Sequence, residues 1–299
     1  MKRRHFLGTA ALAVASLPRA TAQPARPAFR YCLNTATLQG FKLGIAESAE
    51  IASKAGYHAL EPWLTQLTAY SGSWPDLRRR IADLGLTVES AIAFPQWIVD
   101  DEAKRTAAME QLRREMDMVA RIGGMRIAAP PAGATTGPEI ALPRIVDRYR
   151  AVLELGDRMG VVPELEFWGV SVNLRRLADA AFVAMSTDHP KACVLPDVFH
   201  LYKGGSGFRG LPMLSAQAVH VLHMNDYPAT LARETIADRD RVYPGDGVAP
   251  LKQLLADLHG VNPGLVLSLE VFNPAYWKGD ALETARRGLE KMKSVAEAA

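Results

Sequence analysis

Four residues in the second half of the chain form a set that can hold one divalent cation: Glu166, Asp197, His223 and Glu270. Each closes a short apolar run, over residues 161–166, 192–197, 218–223 and 265–270. Burying a carboxylate at the end of an apolar strand costs free energy unless a cation or hydrogen bonds offset it. Repeating that on successive strands implies one shared purpose. Three carboxylates and one imidazole make a hard, oxygen-rich donor set. Such a set favours Mn²⁺ or Mg²⁺ over a structural zinc, with Co²⁺ and Zn²⁺ as the remaining candidates.

Residues of this kind need a scaffold that gathers strand ends. Apolar runs of strand length begin near Phe29, Tyr57, Leu86, Met125, Val161, Ala192, Ala218 and Leu265. Helical patterns are predicted between most of them, over 45–54, 75–84, 101–122, 142–159, 174–185 and 249–258. Another, over 281–295, follows the last strand. Gly56, Gly85, Gly123-Gly124 and Gly160 stand where helix-terminating glycines are expected. The Gly-rich connection over 201–215 is predicted to hold only a short helix. Eight strand signals alternating with helices read as parallel βα units. At this length the α/β solution is a single (β/α)8 barrel, with a doubly wound open sheet as the alternative. A barrel brings the C-terminal strand ends to one mouth, so strands five to eight would present the quartet together.

The first 22 residues read differently. Lys2-Arg3-Arg4-His5 is a basic segment, Phe6 to Leu17 a modest apolar stretch, and Ala20-Thr21-Ala22 a small-residue cleavage site. That is the layout of a secretory signal, too short to span a membrane as a stable anchor. Arg3-Arg4 followed by Phe6-Leu7 is twin-arginine-like, which predicts export to the periplasm or beyond. Residues 23–299 then form the barrel domain, preceded by a short leader from Gln23 to Pro27. Removing residues 1–22 takes away four basic residues and no acid, leaving 31 basic against 32 acidic residues. The formal charge moves from +3 to −1. The mature chain therefore has no global electrostatic reason to seek nucleic acid or anionic lipid. Cys32 and Cys193 both lie inside apolar runs and are expected to be buried free thiols.

The strand-end motifs Glu164-Leu165-Glu166-Phe167, Asp197-Val198-Phe199-His200, His223-Met224-Asn225-Asp226 and Leu269-Glu270-Val271-Phe272 resemble those of the xylose isomerase-like barrel family. The loop Arg241-Val242-Tyr243-Pro244-Gly245-Asp246-Gly247 is similar to a turn after the seventh strand in that family's epimerases. Cys32-Leu33-Asn34-Thr35 and Asn273-Pro274-Ala275-Tyr276-Trp277 add to the likeness, which spans Phe29 to about Lys293. The resemblance implies that Glu166, Asp197, His223 and Glu270 bind the metal. It also implies that Glu166 and Glu270 remove and return a proton beside a substrate carbonyl. A metal-polarised carbonyl makes the adjacent C–H acidic enough for a carboxylate base, with an enediolate as intermediate. His200 matches a substrate-binding histidine and Arg241 an arginine that holds sugar oxygens.

Other residues compete for these roles. Glu164 shares a strand face with Glu166 but lies deeper, and His220 faces away from His223. Arg233 and Arg239 are solvated-loop alternatives to Arg241. Glu61 ends the second strand, a place for a substrate contact. Trp168, like Trp63 and Phe272, follows a strand end, where a ring either stacks on a sugar or packs the rim. The family's ketose 3-epimerases carry a further glutamate where Val172 stands here, and place the arginine close behind the metal histidine, whereas residues 227–240 intervene here. The expected activity is a metal-dependent sugar isomerase or epimerase, working on a small sugar or sugar derivative. The alternative is a lyase or hydratase acting on keto-glycosides by β-elimination. An endonuclease IV-like enzyme or a non-catalytic sugar-binding barrel ranks lower, and the oligomeric state is open.

Overall fold

A computed structural model describes residues 29–299. The expected signal over 1–22, with Arg3 and Arg4, and the leader through Pro27 lie outside the described residues. Eight short strands follow in order: β1 (Arg30–Asn34), β2 (Ala59–Glu61), β3 (Thr87–Val88), β4 (Arg126–Ala129), β5 (Val162–Glu166), β6 (Val194–Leu195), β7 (Val221–Met224) and β8 (Val266–Leu269). The helices are α1 (Ile45–Ala55), α2 (Leu64–Thr68), α3 (Trp74–Asp83), α4 (Glu102–Arg121), α5 (Leu142–Met159), α6 (Leu177–Ser186), α7 (Val198–Gly204), α8 (Leu251–Val261) and α9 (Ala281–Glu297).

All strand pairs are parallel. β3-β2-β1-β8-β7 form one sheet and β4-β5-β6 another. Two seams close them into a barrel. Between β3 and β4, Ala128 N donates to Ala91 O at 2.8 Å. Between β6 and β7, Val194 N donates to Ala218 O at 2.8 Å and His223 N to Pro196 O at 2.9 Å. The second seam sets Asp197 directly opposite His223. Closing the barrel therefore places two of the expected ligands side by side.

Alternation along each strand explains the two layers of core. Outward residues such as Leu33, Leu60, Ile127, Leu165, Leu222 and Leu267 join the large cluster under the helices. Inward residues Cys32, Ala59, Ile92, Ala128, Leu195, Val221 and Val266 form a separate buried cluster that fills the barrel. Both cysteines are free and fully buried, as expected.

The helices begin and end where their chemistry requires. Asp101 caps α4 by accepting from Lys104 N at 3.0 Å, and Asp280 caps α9 by accepting from Glu283 N at 3.0 Å. Gly56 and Gly160 end α1 and α5 with φ of 96° and 71°, a left-handed conformation that glycine adopts freely. Two differences from the sequence pattern concern short helices. Helix α2 has no counterpart in the pattern, because five residues are too few to show a period. Helix α7 starts at Val198, directly on Asp197, and only its end enters the Gly-rich connection. Among the described residues, no helix is long and apolar enough to cross a membrane.

Candidate metal centre

Glu166 ends β5, Asp197 follows β6, His223 lies in β7, and Glu270 follows β8. All four are almost completely buried at the C-terminal mouth. Oxygen and nitrogen atoms of Asp197, His223 and Glu270 lie within 4.8 Å of one another. His223 Nδ1 is 3.4 Å from Glu270 Oε2 and 3.8 Å from both Asp197 Oδ2 and Glu166 Oε1. That nitrogen is buried and makes no hydrogen bond. A buried, unpartnered imidazole nitrogen facing three carboxylates is the arrangement a divalent cation satisfies, so the donor set fits the ion expected from the sequence.

A second layer fixes these groups. His223 Nε2 lies 3.2 Å from Glu61 Oε1. Glu61 in turn accepts from Ser268 Oγ at 2.5 Å and from Asn34 Nδ2 at 3.1 Å. A carboxylate behind a ligating histidine sets its tautomer and turns the other nitrogen toward the metal. Glu61 therefore stands elsewhere than its position at a strand end suggested. It is fully buried beneath His223, with both oxygens taken by the protein. Asn34 also donates to Glu270 Oε1 at 3.1 Å, tying β1, β2 and β8 together.

Asp197 has three roles in one side chain. Its Oδ1 accepts from His200 N at 2.8 Å and caps α7. Its Oδ2 accepts from Asn225 Nδ2 at 2.9 Å and from Arg241 Nη1 at 2.8 Å. Its carboxyl stays below the usual range: burial opposes the charge, but Arg241, His200 and His223 outweigh it.

Arg241 is buried at the centre of this network. Nη1 also donates to Glu270 Oε2 at 3.0 Å, Nε and Nη2 donate to Asp238 Oδ1 at 3.1 and 2.6 Å, and Nη2 lies 3.3 Å from His200 Nε2. A guanidinium only donates, and these contacts use all five of its N–H groups. Arg241 borders the cavity, yet the protein already occupies every donor that was expected to hold sugar oxygens. Facing Arg241, His200 Nε2 must accept, so the neutral ring carries its proton on Nδ1, a buried atom with no protein partner.

The competing residues separate cleanly. Glu164 is fully buried deeper in the barrel, away from the cavity lining, and burial lifts its carboxyl to about 8 against the pull of Arg126. His220 is half-buried outside the centre and is pushed down to about 4 by burial and by Arg126. Arg233 lies on the exposed loop and Arg239 on the cavity rim.

Above the centre opens a cavity of about 540 Å³. Glu166, His200, Arg241 and Glu270 border it beside Trp63, Phe94, Trp168, Phe272 and Trp277. The rings form a continuous wall: Trp63 to Phe94 at 5.0 Å, Phe94 to Trp168 at 6.0 Å, and Trp63 to Phe272 at 5.8 Å between centroids. Burial pushes the Glu166 carboxyl up to about 8. His223 counters this, Glu270 and Asp197 add to it, and the Trp168 indole again favours the charged form.

Several site residues escaped the strand-end pattern. Asn34, Asn225, Ser268 and Asp238 are ordinary polar residues in sequence, and only their partners reveal what they do. Asp226 is another: it accepts from Tyr227 N and Ala249 N at 2.8 Å each, from Gly245 N at 3.0 Å and from Gly247 N at 3.1 Å. Those bonds fold the loop that carries Arg241. Its signal was its place directly after the His-Met-Asn run.

Comparison with known proteins agrees with this architecture. The inosose isomerase of Bacillus licheniformis is 25% identical over 64% of this chain and 69% of its own length. The 3-dehydroshikimate dehydratase of Pseudomonas aeruginosa is 26% identical over 85% of this chain. That match spans only 40% of the dehydratase. A solved IOLI protein with a bound zinc atom superposes with a TM-score of 0.82 at 22% identity, covering 90% of this chain and 98% of that one. A solved D-psicose 3-epimerase gives a TM-score of 0.72 at 16% identity, covering 90% and 99%. The profile of the xylose isomerase-like TIM barrel matches residues 49–295, and the chain belongs to that family.

Proposed function

We propose that this chain is a divalent-metal-dependent isomerase or epimerase of a sugar-derived ketone. One observation carries the reading: Glu166, at the end of β5, and Glu270, just after β8, both border the cavity, and each has a carboxylate oxygen within 3.8 Å of His223 Nδ1. Glu166, Asp197, His223 and Glu270 would hold the ion, with Mn²⁺ suited to three carboxylates and one imidazole. The ion would supply positive charge to a carbonyl oxygen of the substrate. Glu270 is held at both oxygens, by Asn34 and by Arg241, and keeps a fixed aim. Glu166 is the less tethered carboxylate and serves to take a proton from carbon. Glu166, protonated in that step, can return the proton to the neighbouring atom, and delivery to the opposite face would require a proton from solvent carried by Glu270. Arg241 and Glu61 position these groups without touching substrate. His200 borders the cavity as a candidate substrate contact, and Trp168 shapes the wall against which the ring rests. The kinship with an inosose isomerase and a 3-dehydro-D-guloside 4-epimerase supports this reading.

β-Elimination is the second reading, supported by the match to a dehydratase over most of this chain. Both begin with the same deprotonation, so one experiment separates them. Ketoses, inososes and 3-keto-glycosides are incubated with the Mn²⁺-loaded protein in D₂O. Deuterium in an isomerised or epimerised product supports the first reading, and release of an aglycone or water supports the second. The catalytic claim falls if no substrate exchanges and Glu270→Gln alters nothing. We also infer export through the Arg3-Arg4 signal; unchanged export of the double Arg3→Lys, Arg4→Lys variant would overturn it.

A further inference from the structure

The segment over residues 227–240 separates the His223 motif from Arg241, and most of it has no part in the mechanism above. It is nonetheless fastened to the mouth of the barrel. Lys203, near the end of α7, directs all three ammonium N–H groups at it, donating to the backbone oxygens of Arg233, Glu234 and Ile236 at 2.9, 3.0 and 2.8 Å. Helix α7 starts on Asp197, so the segment is tied to the element capped by a candidate metal ligand. Ile236 is buried, and the 3-10 turn Asp238–Asp240 follows it. Asp240 Oδ2 accepts from Ala237 N at 2.9 Å, and Asp238 Oδ1 is held by Arg241.

Arg239 stands between these two acids, and both are engaged elsewhere. It is exposed, borders the cavity, and forms no hydrogen bond or ion pair with any described residue. The other guanidinium on the cavity wall, that of Arg241, has every N–H occupied. Among the described residues, Arg239 is therefore the one arginine bordering the cavity with donors to offer a ligand. A planar fork of N–H donors matches a carboxylate or a phosphate, and a turn pinned on both sides holds that fork in place.

Charge divides the cavity by depth. Glu166 and Glu270 are buried at its inner end, whereas Arg239 is exposed at its rim. An anionic group at the inner end would face both carboxylates. At the rim it would meet Arg239, beside an Asp238 whose charge Arg241 offsets. We propose that Arg239 is a specificity-determining residue that pairs with an anionic group, a carboxylate or a phosphate, on the end of the substrate remote from the reacting ketone. The acidic inner end and the cationic rim then orient the ring in one direction, with its ketone towards Glu166 and Glu270. This rests on the sugar-ketone reading above and adds a charged group to that substrate.

Binding tests it without turnover. Methyl β-glucoside, methyl β-glucuronide and methyl β-glucoside 6-phosphate share one ring, lack a ketone and differ in the charge of one substituent. Each is titrated calorimetrically into the Mn²⁺-loaded protein. At least one charged ligand is expected to bind about fivefold more tightly than the neutral one, and which one does so tells carboxylate from phosphate. Arg239→Gln should bring that ratio to about one, and Arg239→Lys should restore part of it. No preference for either charged ligand overturns the proposal. So does a preference that survives in Arg239→Gln, which would place the anion on the metal ion instead. Failure of the sugar-ketone reading shows separately, as absence of deuterium exchange in keto sugars while the Arg239-dependent ratio stands.

Discussion

Replacing Glu61 by glutamine removes one negative charge from beneath His223 and leaves the side chain nearly the same size. The carboxylate faces His223 Nε2 at 3.2 Å and is itself fixed by Ser268 and Asn34. A hydrogen bond to a charged partner contributes about 1.5–3 kcal/mol. Outer-shell carboxylates behind ligating histidines typically carry about 10–100-fold in metal affinity, or about 1.4–2.8 kcal/mol. The two ranges agree, so Glu61→Gln should weaken Mn²⁺ binding by roughly 10- to 100-fold. Ser268→Ala removes only one support of Glu61 and should cost less, about severalfold. The assay is calorimetric titration of Mn²⁺ at pH 8, with thermal unfolding as a check on the fold. Glu61→Gln binding within twofold of the parent, with the fold intact, would refute the claim that Glu61 aims His223 at a metal.

Three further outcomes follow from the same geometry. Burial opposes a charge on His223, but Glu61 and Glu270 outweigh it and hold its pKa well above the usual imidazole value, while Glu166 sits at about 8. Both shifts favour the protonated forms in the metal-free site, so Mn²⁺ binding should release protons and tighten as pH rises. Titrations in buffers of different ionisation enthalpy check this, and heats independent of buffer contradict it. Glu164 titrates at about 8 when folded and near 4.5 when unfolded, chiefly because of its burial. A carboxyl raised on folding keeps its proton in the native state, so its contribution to stability is lost as pH climbs from about 4.5 through 8. Glu164→Gln should therefore gain on the parent by about 4 kcal/mol between pH 5 and pH 9, measured by urea unfolding. A gap that does not widen is the contrary result. A Cβ added at Gly40 would collide with the Trp277 ring, which lines the cavity and donates to Thr37 O at 2.9 Å. Gly40→Ala should destabilise by about 1–3 kcal/mol and weaken glucoside binding; an unchanged Tm with unchanged binding contradicts it.

The barrel was legible because each strand is a buried apolar run and each long helix has a visible period and stop. The candidate metal quartet was conspicuous for a related reason, since an acid or histidine at the end of such a run stands out. The second layer was not. Glu61 looks like Glu166 in sequence, both being acids at strand ends. What separates them is that Ser268 and Asn34 reach Glu61, over 207 and 27 residues of chain. Arg241 sits in a charged loop beside Arg239, and only the fold shows that Asp197, Asp238 and Glu270 converge on it. Local pattern reports burial and period, whereas these roles depend on pairings across the barrel.

The central claim is that Glu166, Asp197, His223 and Glu270 hold one divalent ion at the mouth of the barrel. Anomalous diffraction at the manganese edge from a Mn²⁺-soaked crystal tests it directly. The account predicts one strong peak per chain, bonded to His223 Nδ1 and to carboxylate oxygens of Glu166, Asp197 and Glu270 at about 2.0–2.3 Å. No peak at full Mn²⁺ occupancy of the mother liquor, or an ion bound elsewhere in the barrel, would contradict it.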